Sequence, residues 1–273
     1  MNYIYFYKGN IPTYVNHSIS SVQKYDKDSK IYFISDSIVN NSEIININIS
    51  SLESVETAYI KKLNYYKELN NSLWETSLLR IFYLLNAAKK LNLNYFVHFD
   101  SDVLIYKSFD EISESFKKNK LNITPVNELF LIFGYSYVDG LEAYENICFE
   151  IIKILENAKY YQNKYYENKV LNEMILFNIA YQNNPNNFNL LNTLPSKNKN
   201  IFDPISYGQY LSGIDKKLLS RKTVDEDHYV GREMLKKGFD VKFLDSKPQI
   251  MIEKEKFELV NLHVHKKNLE VFL

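Results

Sequence analysis

The stretch that decides the fold is residues 94–106, Asn94-Tyr95-Phe96-Val97-His98-Phe99-Asp100-Ser101-Asp102-Val103-Leu104-Ile105-Tyr106. Apart from its Asp-Ser-Asp centre it is a nearly continuous apolar run, the pattern of a central strand buried on both faces. Before it, Trp74, Leu78, Ile81, Phe82, Leu85 and Ala88 recur at helical spacing and predict a helix ending near Asn92. Asp100 and Asp102 are two apart, so in a strand both side chains face one side, at the C-terminal end where open α/β sheets hold their ligands. Two carboxylates placed there repel and lose hydration unless a cation or hydrogen-bond donors compensate. A hard divalent ion such as Mg2+ or Mn2+ is the simplest partner. The plainer alternative is a turn whose aspartates cap backbone amides.

Outward from this segment the pattern alternates. Residues 3–7 read as a strand closing on Lys8-Gly9-Asn10, and a helix follows Pro12 with Val15, Ile19 and Val22 on one face. Residues 31–35 and 44–49 read as further strands. Ser50 with Glu53, and Ser72 with Glu75, have capping-box spacing and predict two helix starts. This order predicts an α/β fold over residues 1–106, a Rossmann-like, mostly parallel sheet flanked by helices. Residues 107–273 predict a helix over 109–119, a strand or two over 129–137, and helices over 141–159 and 165–183. An Asn-, Pro- and Ser-rich loop over 183–200, a segment over 202–213, a helix over 225–237 and strands over 240–244 and 257–265 complete the reading. With no internal repeat and no separating linker, residues 1–273 read as one domain with an elaborated second half.

Composition excludes several function classes. The 273 residues carry 33 basic and 33 acidic side chains, and zero net charge argues against a nucleic-acid partner held through phosphate neutralisation. One cysteine excludes a disulfide framework and Cys-rich zinc modules and points to a reducing compartment. The seven glycines allow no G-x-G-x-x-G. Gly208 and Gly213 have P-loop spacing, but Ile214 and Asp215 follow them where Lys and Ser/Thr are needed. A nucleotide would therefore be held without a glycine-rich cradle. The opening MNYIYFYKGN lacks the basic start of a signal peptide, and no run reaches the roughly 18 apolar residues of a membrane span. A cytoplasmic protein, at most peripheral to a membrane, is expected.

Leu262-His263-Val264-His265-Lys266-Lys267 places two histidines at strand alternation with Val264 toward the core. That convergence suits metal ligation by His263 or His265, with lysines beside it for an anion; the alternative is a solvated edge strand. Arg80, one of three arginines with Arg221 and Arg232, borders the apolar face of the helix before Asp100. Its donor fork suits a carboxylate or phosphate, or it lays its stem along the surface toward solvent. Cys148 falls on an apolar helix face and reads as core.

The segments ETSLLRIFYLL (75–85), NYFVHFDSDVLIY (94–106) and NLHVHKK (261–267) together resemble nucleotide-sugar-dependent glycosyltransferases of the GT-A fold. Residues 202–210, Phe202-Asp203-Pro204-Ile205-Ser206-Tyr207-Gly208-Gln209-Tyr210, are similar to the acceptor-side region such enzymes place between those motifs. The resemblance implies a nucleotide-sugar donor, a UDP-sugar, bound by residues 1–106, and a glycan, lipid-linked saccharide or protein acceptor bound by 107–273. It implies Mn2+ or Mg2+ held by Asp102, Asp100 and His263 or His265, with Asp100 also able to touch ribose or sugar. Lys266 and Arg80 would offset phosphate charge, and base and ribose would lie near Tyr7, Lys8 and Asp36. Asp203 and Glu173 are the candidate catalytic carboxylates. The KPW-type ending of some retaining members is absent.

Other readings compete. Haloacid-dehalogenase-like phosphatases want their D-x-D on an early strand, followed two residues later by Thr or Val, where this chain has Leu104. A two-metal phosphohydrolase using H-x-H would need more histidines than His17, His98 and His228 supply. A non-catalytic sugar-nucleotide binder predicts the same fold without turnover.

Overall fold

The structure is a computed structural model that describes residues 1–165, 169–196, 200–213, 224–253 and 255–273. In chain order these form β1 (Asn2–Tyr7), α1 (Thr13–Tyr25), β2 (Lys30–Ser35), β3 (Ile44–Asn48), α2 (Val55–Ile60), α3 (Asn64–Glu68), α4 (Ser72–Lys90), β4 (Tyr95–His98), β5 (Val103–Ile105) and α5 (Phe109–Ile112). There follow β6 (Lys120–Pro125), β7 (Leu131–Asp139), α6 (Leu141–Glu156), α7 (Ala158–Tyr165), α8 (Glu173–Asn183) and β8 (Phe188–Leu190). The chain closes with α9 (Ser206–Ser212), α10 (Tyr229–Lys237), β9 (Asp240–Leu244), β10 (Lys247–Ile252), β11 (Glu255–Glu258) and β12 (Asn261–His263).

The central sheet has the order β3-β2-β1-β4-β7-β6-β8. Its pairs are parallel except at β7, which runs antiparallel to both neighbours. The mostly parallel α/β sheet expected from the alternating pattern is what forms. Side-chain alternation gives the central strands β1 and β4 two buried faces. On β4, Phe96 joins Ile4, Phe133 and Phe177 beneath α4, α6 and α8, whereas Val97 joins Tyr3, Tyr5 and Phe33 beneath α1. A third cluster, with Leu104, Tyr207, Val230 and Leu262, packs α9 and α10 against a two-stranded ribbon of β5 and β12. The strand order reverses at β1, whose neighbours are β2 and β4, so a crevice opens beyond the C-terminal ends of these strands.

Residues 94–106 are not one strand. β4 stops at His98, Val103 N–H donates to Asp100 O at 3.1 Å, and the chain crosses into the β5/β12 ribbon. A strand buried on both faces has no place for two carboxylates, and the turn carries them out to the sheet end. The expected helix over 109–119 is only α5 and a single 3-10 turn (Ser113–Ser115), while Lys120–Pro125 forms β6, which periodicity did not reveal. Ser54 with Thr57, not Ser50 with Glu53, makes the capping box of α2, and Asn71, not Ser72, caps α4. The 183–200 loop contains the sheet's edge strand β8, and residues 257–265 divide between β11 and β12. The helix expected over 165–183 crosses residues 166–168, and α8 begins later, under an Asn172 cap. Residues 166–168 and 197–199, together with Ile214, Asp215 and Arg221, lie outside the described residues.

Gly208 shows why α9 can seat against β12. A Cβ there would stand 1.8 Å from the His263 carbonyl oxygen and 2.6 Å from its carbon. Gly208→Ala is therefore expected to displace α9 from β12 and to destabilise the fold by about 3 kcal/mol, read by thermal unfolding. A melting curve unchanged from the parent would contradict this packing.

Candidate active site

The β5/β12 ribbon brings residues 103 and 263 side by side, since His263 pairs with Val103. His263 thereby lies over the turn that carries Asp100 and Asp102. Its Nε2 is 3.2 Å from Asp102 Oδ1 and 3.7 Å from Asp100 Oδ2, and one ligand atom from each of the three residues falls within 4.8 Å of the others. The ring is aimed from behind: the Pro204 carbonyl lies 3.1 Å from Nδ1, so Nδ1–H donates and Nε2 faces the carboxylates. Two hard oxygens and an imidazole nitrogen suit Mn2+ or Mg2+, so the donor set fits a D-x-D metal site. His265 does not join it. Its backbone N–H turns back to His263 O at 3.1 Å, which ends the strand alternation on which the paired-histidine expectation stood.

Asp102 also faces a lysine. Lys267 Nζ is 3.0 Å from Asp102 Oδ2. Burial works against the Asp102 charge, but His263 and Lys267 outweigh it and hold the carboxyl well below its usual range. Burial likewise opposes the His263 charge, and Asp102 outweighs it, raising the imidazole to about 9. A histidine raised from its ordinary value contributes stability that is fully present below pH about 6.5 and is lost as pH rises through about 9. In EDTA the fold is expected to lose on the order of 3 kcal/mol across that window, measured by chemical denaturation at pH 6.5, 8 and 9.5. A flat profile would contradict the His263–Asp102 pairing.

Arg80 comes from α4, below Asp100. Its Nη1 donates to Asp100 Oδ1, and its Nη2 donates to both Glu173 oxygens at 2.8 and 2.7 Å. The guanidinium lies over the Phe133 ring, 5.2 Å from the centroid. With Oδ1 taken, Asp100 turns Oδ2 toward His263. Burial opposes the Arg80 charge, but Glu173 and Asp100 more than offset it. For Glu173, burial is the largest influence and pushes the carboxyl up to about 7, with Arg80 opposing. The shifts of the two partners pull in opposite senses; the two-oxygen contact with a guanidinium that stays charged favours the ion pair near neutral pH.

Both expected catalytic carboxylates are thus committed. Glu173 spends its two oxygens on Arg80. Asp203 is fully buried: Oδ1 accepts from Tyr207 N–H at 3.0 Å, and Oδ2 from Gly208 N–H at 2.9 Å and His263 N–H at 2.8 Å. Burial raises its carboxyl to about 6 against those amides. It anchors the first turn of α9 to β12, with both carboxylate oxygens already accepting from backbone amides.

The residues expected beside base and ribose lie at the strand ends. Tyr7 closes β1 and hydrogen-bonds Tyr14 in the first turn of α1, while Asp36, just past β2, accepts from Gly9 N–H at 2.7 Å. Lys8 is exposed between them. Of the two terminal lysines, Lys267 rather than Lys266 reaches the carboxylates; Lys266 is exposed. Sequence reasoning missed Tyr14, whose ring lies 5.2 Å from Lys267 Nζ and whose phenol is held well above its ordinary pKa by burial and Tyr7. Nothing in its local sequence singles it out among the chain's 23 tyrosines.

A second constellation lies nearby. Ser206 Oγ is 2.9 Å from His228 Nδ1, and His228 Nε2 is 3.4 Å from Asp225 Oδ2. The next two backbone amides, of Tyr207 and Gly208, already donate to Asp203, so the turn offers no oxyanion donors for nucleophilic chemistry. These contacts tie α9 to the start of α10.

No family model and no curated protein matches the chain. Among solved structures it is similar to mouse xyloside xylosyltransferase 1 in its apo form, at 12% identity over 70% of this chain and 86% of that one, with a TM-score of 0.49. It is similar to an active-site mutant of LgtC at 13% identity over 83% and 82%, with a TM-score of 0.48. It is also similar to the PaToxG glycosyltransferase, at 15% identity over 67% and 69%, with a TM-score of 0.39. Likenesses this distant do not decide a reaction. No helix among the described residues is long and apolar enough to cross a membrane.

Proposed function

We propose that this chain is a metal-dependent glycosyltransferase that moves a sugar from a nucleoside-diphosphate donor, a UDP-sugar, to a hydroxyl acceptor. The observation that carries this reading is the convergence of Asp100, Asp102 and His263 at the mouth of the sheet crevice, with Lys267 and Arg80 paired to its carboxylates. It offers phosphate binding to a chain without glycine loops. Asp102, Asp100 Oδ2 and His263 Nε2 would hold Mn2+ or Mg2+, which when bound stabilises negative charge on the departing diphosphate.

Arg80 sets which oxygen Asp100 presents, and Pro204 O sets the His263 ring. Tyr7, Lys8 and Asp36 lie at the ends of β1 and β2, where base and ribose would rest. Residues 1–106 would serve the donor. Residues 107–273 would serve a glycan, lipid-linked saccharide or protein acceptor. The test is a panel of nucleotide sugars incubated with the protein and Mn2+. Release of a nucleoside diphosphate from at least one donor is expected, lost with EDTA and restored by excess Mn2+. Absence of binding and turnover across the panel would sink the transferase reading, and release of inorganic phosphate instead would favour a phosphohydrolase.

A further inference from the structure

Asp102 has two oxygens and two protein cations on them, but these cations are held very differently. His263 is buried and pinned through its ring Nδ1 and its backbone amide. The Lys267 side chain is 48% exposed, on a flexible four-carbon stem. It reaches Asp102 from a backbone in the left-handed region, φ +64°, which non-glycine residues adopt at a cost. The turn is held by Lys267 N–H to Val264 O at 2.8 Å and by Val264 N–H to Asp102 O at 2.9 Å. This turn is thus bound to the backbone of the residue whose carboxylate the lysine neutralises. The Tyr14 ring face offers the ammonium a second attraction, 5.2 Å from Nζ.

We propose that Lys267 is a displaceable counter-cation. It occupies Asp102 Oδ2 in the metal-free protein, yields that oxygen to a divalent metal, and remains beside Tyr14 to meet the anion that accompanies the metal. This rests on the metal-site reading above. Metal arriving alone must dislodge the ammonium and then sit next to it, so bare metal binds weakly. A diphosphate relieves that repulsion, so metal and nucleotide each tighten the other by one shared factor.

Titrations of Mn2+ followed by water-proton relaxation, with and without UDP, test this on the full chain and on Lys267→Met, Lys267→Gly and Asp102→Asn. The glycine variant removes the ammonium while relaxing the left-handed backbone, so agreement between the two lysine variants excludes a folding artefact. Each is expected to bind Mn2+ alone about tenfold more tightly, and the factor by which UDP tightens Mn2+ is expected to shrink about as much. If Mn2+ affinity is unchanged or weaker in both lysine variants while Asp102→Asn loses the metal, the counter-cation is overturned and the metal site stands. Equal Mn2+ binding by the parent and Asp102→Asn overturns the metal site, and the proposal with it.

Discussion

Asp102→Asn is expected to lower metal-dependent turnover of a nucleotide sugar by about 1,000-fold, a loss of several kcal/mol of charge stabilisation at the leaving diphosphate. The reason is local. Asp102 is 5% exposed, faces His263 through one oxygen and Lys267 through the other, and is the residue on which both nearby cations converge. Asparagine keeps the shape and the backbone carbonyl that accepts from Val264 N–H, so the fold is expected to survive. What is removed is the charge. Release of nucleoside diphosphate in Mn2+ is the measurement, with circular dichroism confirming the fold. Turnover within tenfold of the parent would remove Asp102 from the mechanism.

Arg80→Met has the largest expected effect on stability. The guanidinium is the shared partner of Asp100 and Glu173, and the Glu173 side chain is only 4% exposed. Removing it leaves the buried Glu173 without its cation and Asp100 with His263 alone, which costs about 3–5 kcal/mol for a broken buried pair. For a chain of this size that corresponds to a melting temperature lower by about 10 °C. Adding Glu173→Gln to the variant removes one of the stranded charges and is expected to recover part of the loss. If the double variant melts no higher than the single one, the electrostatic account is wrong and Arg80 acts through packing against Phe133. Arg80→Lys is expected to rescue little, because one ammonium cannot donate to both Glu173 oxygens and to Asp100 in the fixed fork of a guanidinium. Mn2+ affinity should fall in Arg80→Met as well, since Asp100 would no longer be held with Oδ2 forward.

Much of the site was readable because its residue types are uncommon in their settings. Two carboxylates inside an apolar run, an arginine bordering an apolar helix face and histidines near a late strand each stand against their local pattern. All three come together in the structure. What the sequence left hidden shares a cause. Asp203 and Glu173 look like available acids, and only the tertiary contacts show that backbone amides and Arg80 consume them. The continuous apolar run hid a turn, because burial on both faces gives a strand and a strand-turn-strand the same composition.

By itself the sequence determined the alternation of helices and strands, hence a mostly parallel sheet with a ligand crevice at its carboxyl end. It also determined that any phosphate chemistry must proceed without glycine cradles. The tertiary structure alone decided which histidine and which lysine meet Asp102 and which carboxylates remain for a ligand. Those choices depend on the pairing of β5 with β12 and on a turn whose lysine meets an aspartate 165 positions away. Periodicity reports only which face of an element is apolar, and the partner across such a distance is set by how those faces pack.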